Sequence, residues 1–221
     1  MSKIQSAVSM AAILVSVLFS QTAFSQPEVS DLRCENLYNP LGIDRPQPRL
    51  SWRLAPGARG LAQAAYQVVV TAEDPATVPG QETVLWDSGK VASDQSSFVP
   101  YGGAPLAAGT RCHWKVRVWD GDGVESDWSE PALFTVGPIA TEDWKGEWIG
   151  ADWIENNEGP LPLLRKTLTL EEVPLRAMAH VCVLGYYELY VNGKKVGEDV
   201  LSPAVSDYAK RGLYLSHDIT P

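Results

Sequence analysis

The sequence predicts an all-β fold in two successive units, each built from antiparallel strands. Three observations carry this. From Pro27 to about Gly137, short strand-like runs recur at regular spacing with turn residues between them, the pattern of an antiparallel sandwich. Cys112–Val118 alternates strictly, with Cys112, Trp114, Val116 and Val118 in one phase and His113, Lys115 and Arg117 in the other. A half-buried antiparallel strand needs that arrangement. Finally, Asn192-Gly193 sits between the runs Tyr186–Val191 and Lys194–Val196; a type I′ hairpin turn needs positive φ at both central positions, which Asn-Gly supplies. The chain shows no internal repeat, low-complexity tract or amphipathic helix.

Taken in order, Val29–Glu35 is the first expected strand. Pro48–Leu54 follows, with Leu50, Trp52 and Leu54 on one face, and then Ala65–Thr71, with Tyr66, Val68 and Val70 in phase. Thr83–Asp87 and Ser97–Val99 are shorter strands, the first of them ending in a Ser88-Gly89-Lys90 turn. Asp120-Gly121-Asp122-Gly123 turns the chain after the strand at Cys112, and Leu133–Val136 closes the unit before Gly137-Pro138. In the second unit Leu164–Leu170 alternates, Ala177–Leu184 is apolar, and Gly212–Ser216 follows the Asn-Gly hairpin.

The first 25 residues read as a signal peptide: Lys3 is the positive end, Ala11–Phe19 the apolar core, and Ala23-Phe24-Ser25 the small-residue cleavage site. The apolar run is too short to favour a membrane span. Cleavage before Gln26 leaves 196 residues, with 17 basic against 27 acidic side chains and a formal charge of −10. So acidic a chain gains nothing from counterion release, which argues against nucleic acid as a partner. The expected location is periplasmic or extracellular. Cys34, Cys112 and Cys182 lack CxxC spacing. They read as three buried thiols, with a Cys34–Cys112 disulfide as the alternative that an exported chain allows.

The blocks Asn39–Asp44, Pro48–Trp52, Trp86–Val91, Trp114–Asp120 and Asp127-Trp128-Ser129 together resemble the fibronectin type III-like module that leads secreted bacterial α-L-rhamnosidases. Trp148-Ile149-Gly150-Ala151, Leu201-Ser202-Pro203, Ser206-Asp207-Tyr208, Leu213-Tyr214 and Asp218-Ile219-Thr220 extend that resemblance. It implies a fibronectin type III-like sandwich over 27–137 and a Trp-rich connector over 138–160. Residues 161–221 are then the incomplete start of a jelly-roll-like β-sandwich, the N-terminal domain of the family. The connector carries Trp144, Trp148 and Trp153, which serve either as a sugar-stacking platform or as staples between the units.

The resemblance further implies catalysis by two carboxylates of a downstream (α/α)₆ barrel, with inversion at the anomeric carbon. No segment corresponds to that barrel, so no catalytic residue is assigned. The acidic pairs that are present, Glu171-Glu172, Glu198-Asp199 and Glu155/Glu158, sit in polar stretches between strands and read as solvated acids. Nothing suggests the apolar pocket that would raise a carboxyl pKa. His113, His180 and His217 lack metal spacing. Asp120, Asp122 and Glu125 fail the calcium-loop pattern at its later positions and read as a β-turn. No metal and no cofactor is expected.

The candidate sugar contacts are Asp207, Tyr208 and Arg211, a carboxylate, a phenol ring and a guanidinium in the loop Ser202–Arg211. The alternative makes Tyr208 a packed corner aromatic and joins Asp207 to Arg211 in an exposed ion pair worth little. The expected role is therefore the non-catalytic N-terminal portion of an α-L-rhamnosidase-like glycoside hydrolase. Its partners would be a rhamnose-containing glycan, through the intact enzyme, and the absent C-terminal catalytic domain. A stand-alone carbohydrate-binding or adhesion module, or the front of another glycosidase with a β-galactosidase-like sandwich, are the competing readings.

Overall fold

The computed structural model describes residues 26–55, 62–73, 82–151 and 161–221. The expected signal peptide, Trp153, Glu155 and Glu158 lie outside those residues. The first unit holds β1 (Val29–Cys34), β2 (Arg49–Leu54), β3 (Gln63–Glu73), β4 (Glu82–Asp87), β5 (Val91–Ala92), β6 (Val99–Pro100), β7 (Arg111–Asp120) and β8 (Ala132–Thr135). They form two sheets. One has the order β1-β2-β6; the other has the order β4-β3-β7-β8, with β5 pairing on β3.

The register explains the sequence pattern. β3 and β7 pair antiparallel with Tyr66 opposite Val118, Val68 opposite Val116 and Val70 opposite Trp114, and all six side chains are buried. A slip of one residue would turn Lys115 and Arg117 into the core and expose the apolar set. Leu50 and Trp52 from the opposing sheet complete the core with Phe134 and Val136. Each such side chain contributes about 1.5–3 kcal/mol of burial. Trp52 meets Tyr66 edge to face at 5.2 Å across the sandwich. Its indole N–H donates to Gln63 Oε1 at 2.9 Å, and the Gln63 amide donates in turn to the carbonyls of Ser93 and Gln95. This buried polar group therefore satisfies both its own needs and those of the ring beside it.

At the Asp120 turn, the Asp120 carboxylate accepts from the N–H groups of Asp122 and Val124 at 3.0 and 2.8 Å, and Gly123 takes φ +82°. A carboxylate used in this way closes a turn. On the outer face of β7, Arg117 lies over the rings of Trp119 and Trp128, with Lys90 on Trp119 and Lys115 on Trp128. Such contacts contribute about 0.5–1 kcal/mol each at exposed sites.

The second unit holds β9 (Met178–Cys182), β10 (Leu189–Val191), β11 (Lys194–Val196) and β12 (Tyr214–Asp218). β9 and β12 pair antiparallel, from Cys182 opposite Tyr214 to Met178 opposite Asp218. The β10–β11 hairpin turns on Asn192 and Gly193 at φ 50° and 79°, the conformation that made Asn-Gly informative.

Three local expectations are corrected. Leu164–Leu170 forms no strand, and Leu164, Leu168 and Leu170 are exposed. Alternation gives a strand only where a neighbour meets its backbone groups, and no described segment pairs with this one. The strand expected over Tyr186–Val191 shortens to Leu189–Val191. Of the three thiols expected to be buried, Cys34 and Cys112 are buried and free, whereas Cys182 is only half-buried. Burial pushes the Cys112 thiol up to about 12 and that of Cys34 higher still, so both behave as small apolar groups.

The two units meet at a close seam. Tyr214 Oη donates to the carbonyl of Gly42 at 2.8 Å, and Trp144 packs edge to face on the Tyr214 ring at 5.3 Å. A Cβ on Gly42 would stand 1.8 Å from Ser216 Oγ, and one on Gly137 2.5 Å from Tyr214 Oη. Arg176 adds a bond to the Gly109 carbonyl and an ion pair with Glu73 at 3.8 Å. Of the connector tryptophans, Trp144 is therefore a staple. Trp148, 70% exposed, is not.

Candidate functional site

The loop between β11 and β12 carries the candidate sugar contacts. Its entry is pinned where the Tyr187 N–H donates to the Ser202 carbonyl at 3.1 Å, next to a cis peptide bond at Ser202–Pro203 and a buried Pro203. Its tip is one tight turn. The Asp207 carbonyl accepts from the N–H groups of both Lys210 and Arg211, at 2.8 and 2.9 Å, and the Ser206 hydroxyl closes the turn on the Arg211 carbonyl at 2.8 Å. Asp and Ser favour such positions because their short side chains reach nearby backbone groups.

The three candidates fare differently in this turn. Asp207 is engaged: its carboxylate accepts from the Ala209 N–H and pairs with Lys210 Nζ at 2.8 Å. The ion pair expected with Arg211 does not form, because the turn brings Lys210, three residues on, to Asp207 instead. The Arg211 guanidinium is exposed and bonds to no described side chain. Tyr208 is also exposed, at 38%. A ring and a guanidinium on a backbone-fixed turn can stack on a sugar face and donate to its hydroxyls, at little cost in ordering the turn.

Beneath the loop lies a polar pair. Tyr187 Oη and His217 Nε2 are 2.6 Å apart, with His217 buried. Burial, followed by the charge of Asp199, pushes the Tyr187 hydroxyl up to about 12, so Tyr187 remains a neutral phenol. His180 Nδ1 bonds Ser216 Oγ at 2.7 Å, and burial lowers the His180 pKa. His113 meets Glu82 at 2.5 Å on the outer face of β7. Glu171, Glu172, Glu198 and Asp199 are exposed. Among the described residues, no group of three or more His, Cys, Asp or Glu side chains is placed to hold a metal ion. No described helix is long and apolar enough to cross a membrane.

Sequence reasoning passed over two constellations. The cation–aromatic ladder at Trp119 and Trp128 was legible in part, since Lys115 and Arg117 share one phase of β7. The second is a set of four arginines, Arg33, Arg45, Arg49 and Arg53, gathered on one face of the first unit. The signal available was their density, four within 21 residues of a chain with 18 basic residues in all.

Comparison with known proteins places these units. Residues 29–140 match the model of the Rha78A-like, N-terminal immunoglobulin domain, and residues 172–221 match that of the alpha-L-rhamnosidase N-terminal domain. An alpha-L-rhamnosidase of Formosa agariphila is 35% identical over 82% of this chain and 21% of its own length. The structure of alpha-L-rhamnosidase from Dictyoglumus thermophilum superposes with a TM-score of 0.74 at 33% identity, over 89% of this chain and 23% of that one. The crystal structure of Streptomyces avermitilis alpha-L-rhamnosidase complexed with L-rhamnose matches with a TM-score of 0.51 at 34% identity, over 87% of this chain and 20% of that one. The chain thus spans about a fifth of the length of these relatives. With an immunoglobulin-like sandwich that matches its model over half the sequence, followed by a rhamnosidase N-terminal domain, the chain belongs to the Rha78A-like family of alpha-L-rhamnosidase N-terminal regions.

Proposed function

We propose that this chain is the non-catalytic N-terminal portion of a glycoside hydrolase that, in intact form, removes terminal α-L-rhamnose from glycans. The observation that carries this reading is the succession of two rhamnosidase N-terminal domains, in order, over a fifth of the relatives' length. The exposed acids agree with it, because glycoside hydrolysis needs one carboxyl in surroundings that raise its pKa. The first unit (27–137) acts as a spacer or docking domain, 138–160 as connector, and 161–221 as part of a second sandwich beside the catalytic domain. An N-terminal signal peptide over 1–25 exports the chain to the periplasm or the medium.

Within this role, Tyr208 and Arg211 contact sugar hydroxyls and ring faces at the loop tip, and Asp207 fixes the turn that presents them. The purified 221-residue chain is expected to show no turnover of an aryl α-L-rhamnoside. Turnover approaching that of an intact rhamnosidase would refute the non-catalytic role. Separately, titrating L-rhamnose into the isotope-labelled chain should shift the amide signals of 206–212, and Arg211→Ala should remove those shifts. Unchanged signals would refute the sugar contact alone. Mass spectrometry of the exported product is expected to find Gln26 at its N-terminus.

The 70% exposure of Trp148 favours a second reading, in which the connector binds glycan directly. In that case Trp148→Ala would weaken retention on a rhamnose-containing polysaccharide, while Tyr208→Ala would not.

A further inference from the structure

The outer face of the β1–β2 sheet concentrates positive charge on an acidic chain. Arg33 extends from β1, Arg49 and Arg53 from β2, and Arg45 from the loop before β2. Among the described residues two carboxylates answer them, each shared by two guanidiniums. Asp31 pairs with Arg33 at 2.9 Å and Arg53 at 3.0 Å; Glu35 pairs with Arg49 at 2.6 Å and Arg45 at 3.8 Å. The four guanidiniums therefore outnumber the carboxylates they pair with by two, although Asp44 also adjoins Arg45 in the sequence. Exposed charges farther off than about 8 Å are largely screened at physiological salt, so this local balance governs contacts here rather than the net −9.

The backbone builds the cluster. Asp31 sits in the bulge where the β1–β2 register shifts, at φ 54°, and Glu35 follows β1 at φ 48°. Non-glycine residues seldom take positive φ, and a bulge re-aims the side chain it carries. Both pivots are thus held in unusual backbone positions that aim a carboxylate between two arginines. The rings are arranged in the same way, with Arg33 over Tyr38 at 4.2 Å and Arg49 over Phe98 at 4.8 Å. Donor capacity remains free. Arg53 and Arg45 meet their carboxylates through Nε, and their terminal amino groups bond to no described residue; their side chains are 74% and 56% exposed. A shallow groove of about 90 Å³ runs between Arg33, Arg53 and Phe98.

We propose that this face is a binding surface for an anionic polysaccharide, in which Arg45 and Arg53 grip carboxylate or sulfate groups while Arg33 and Arg49 hold the surface in shape. Guanidinium forks match planar or tetrahedral oxyanions through paired N–H donors, and the sharing of carboxylates orients the forks before any ligand arrives. The surface is independent of any sugar contact at Tyr208.

Affinity electrophoresis of the full 221-residue chain tests this at on the order of 50 mM salt. The gels would contain polygalacturonate, dextran sulfate or neutral dextran. Retardation is expected in one or both polyanions and not in dextran, and which polyanion acts tells carboxylate from sulfate. Arg45→Glu/Arg53→Glu should weaken retardation at least about tenfold, since two released counterions are lost and two repulsions added. Arg45→Gln/Arg53→Gln should show a smaller loss and guards against misfolding of the reversed pair. Lys166→Glu/Lys194→Glu, the same change in net charge on exposed lysines elsewhere, should stay within about twofold of the native chain. Absence of retardation in both polyanions, equal retardation in dextran, or equal loss in the two charge-matched variants would overturn the proposal.

Discussion

The Tyr214 hydroxyl donates to the Gly42 carbonyl at 2.8 Å across 172 residues of sequence, joining β12 of the second unit to the loop after β1 in the first. The contact has no slack. Gly42 holds φ +68°, and a Cβ there would meet Ser216 Oγ at 1.8 Å. Tyr214→Phe is expected to cost about 1–3 kcal/mol, the penalty of leaving the Gly42 carbonyl unmet. Gly42→Ala should cost more, about 1–3 kcal/mol of overpacking in addition to backbone strain. Urea denaturation followed by hydrogen exchange checks both: protection should fall first along β9 and β12. Unchanged protection there would mean that the seam does not support the second unit.

His180 makes that same seam sensitive to pH. Its ring lies beside Tyr214 and bonds Ser216, and burial lowers its pKa from 6.5. The unfolded chain therefore binds a proton more readily than the folded one. Stability from this group is complete above pH 6.5 and falls as acid is added through and below that value. Glu35, where burial is outweighed by the hydrogen bonds and charge of Arg49, and Asp218, lowered by hydrogen bonds from Thr220, act in the same direction at lower pH. Their contribution is present above their ordinary values of 4.5 and 3.8 and is lost below them. Thermal melts should show an upper step in the pH dependence, as the pH falls below the ordinary histidine value of 6.5, that His180→Gln removes while the carboxylate step remains.

What was legible in the sequence follows from the range of the forces involved. The faces of β7 were readable because burial on a two-residue period is a local constraint, and Asn192-Gly193 because positive φ is a property of single residues. Leu164–Leu170 misled because alternation records only a preference, whereas a strand also needs a neighbour's backbone. The two pairings around Asp31 and Glu35 were invisible for a related reason. They depend on a bulge and on cross-strand register, which bring Arg33 and Arg53 to one carboxylate from 20 residues apart. The engagement of Asp207 with Lys210 and with the backbone is a property of the turn geometry that residue type alone does not announce.

The three thiols should differ in reactivity. Thiolate is the reacting form, and burial raises the pKa of Cys34 and Cys112 far above neutral pH. Cys182 is raised too, but it is only half-buried. Under native conditions an alkylating reagent is expected to modify Cys182 first, with Cys34 and Cys112 reacting only as the first unit unfolds. Reductant should leave the melting temperature unchanged, since no bridge joins Cys34 to Cys112. A melting temperature that falls on reduction would contradict the free-thiol assignment.

Phe134 reports on the first unit alone. It is fully buried on β8, directly opposite Cys112 of β7, and it packs in the same cluster as Trp52 and Trp114. Phe134→Ala removes the ring and leaves a cavity that neighbouring strands can fill only in part, so a loss of about 3–5 kcal/mol is expected. Trp114 offers the contrast, because its indole N–H is buried without a partner among the described residues. Trp114→Phe gives up packing area but also removes an unmet donor worth about 1–3 kcal/mol, so its net cost should be clearly smaller than that of Phe134→Ala. Denaturant midpoints of the two variants measure the difference. Equal losses would mean that the Trp114 donor is satisfied in solution, most simply by a water held between the sheets.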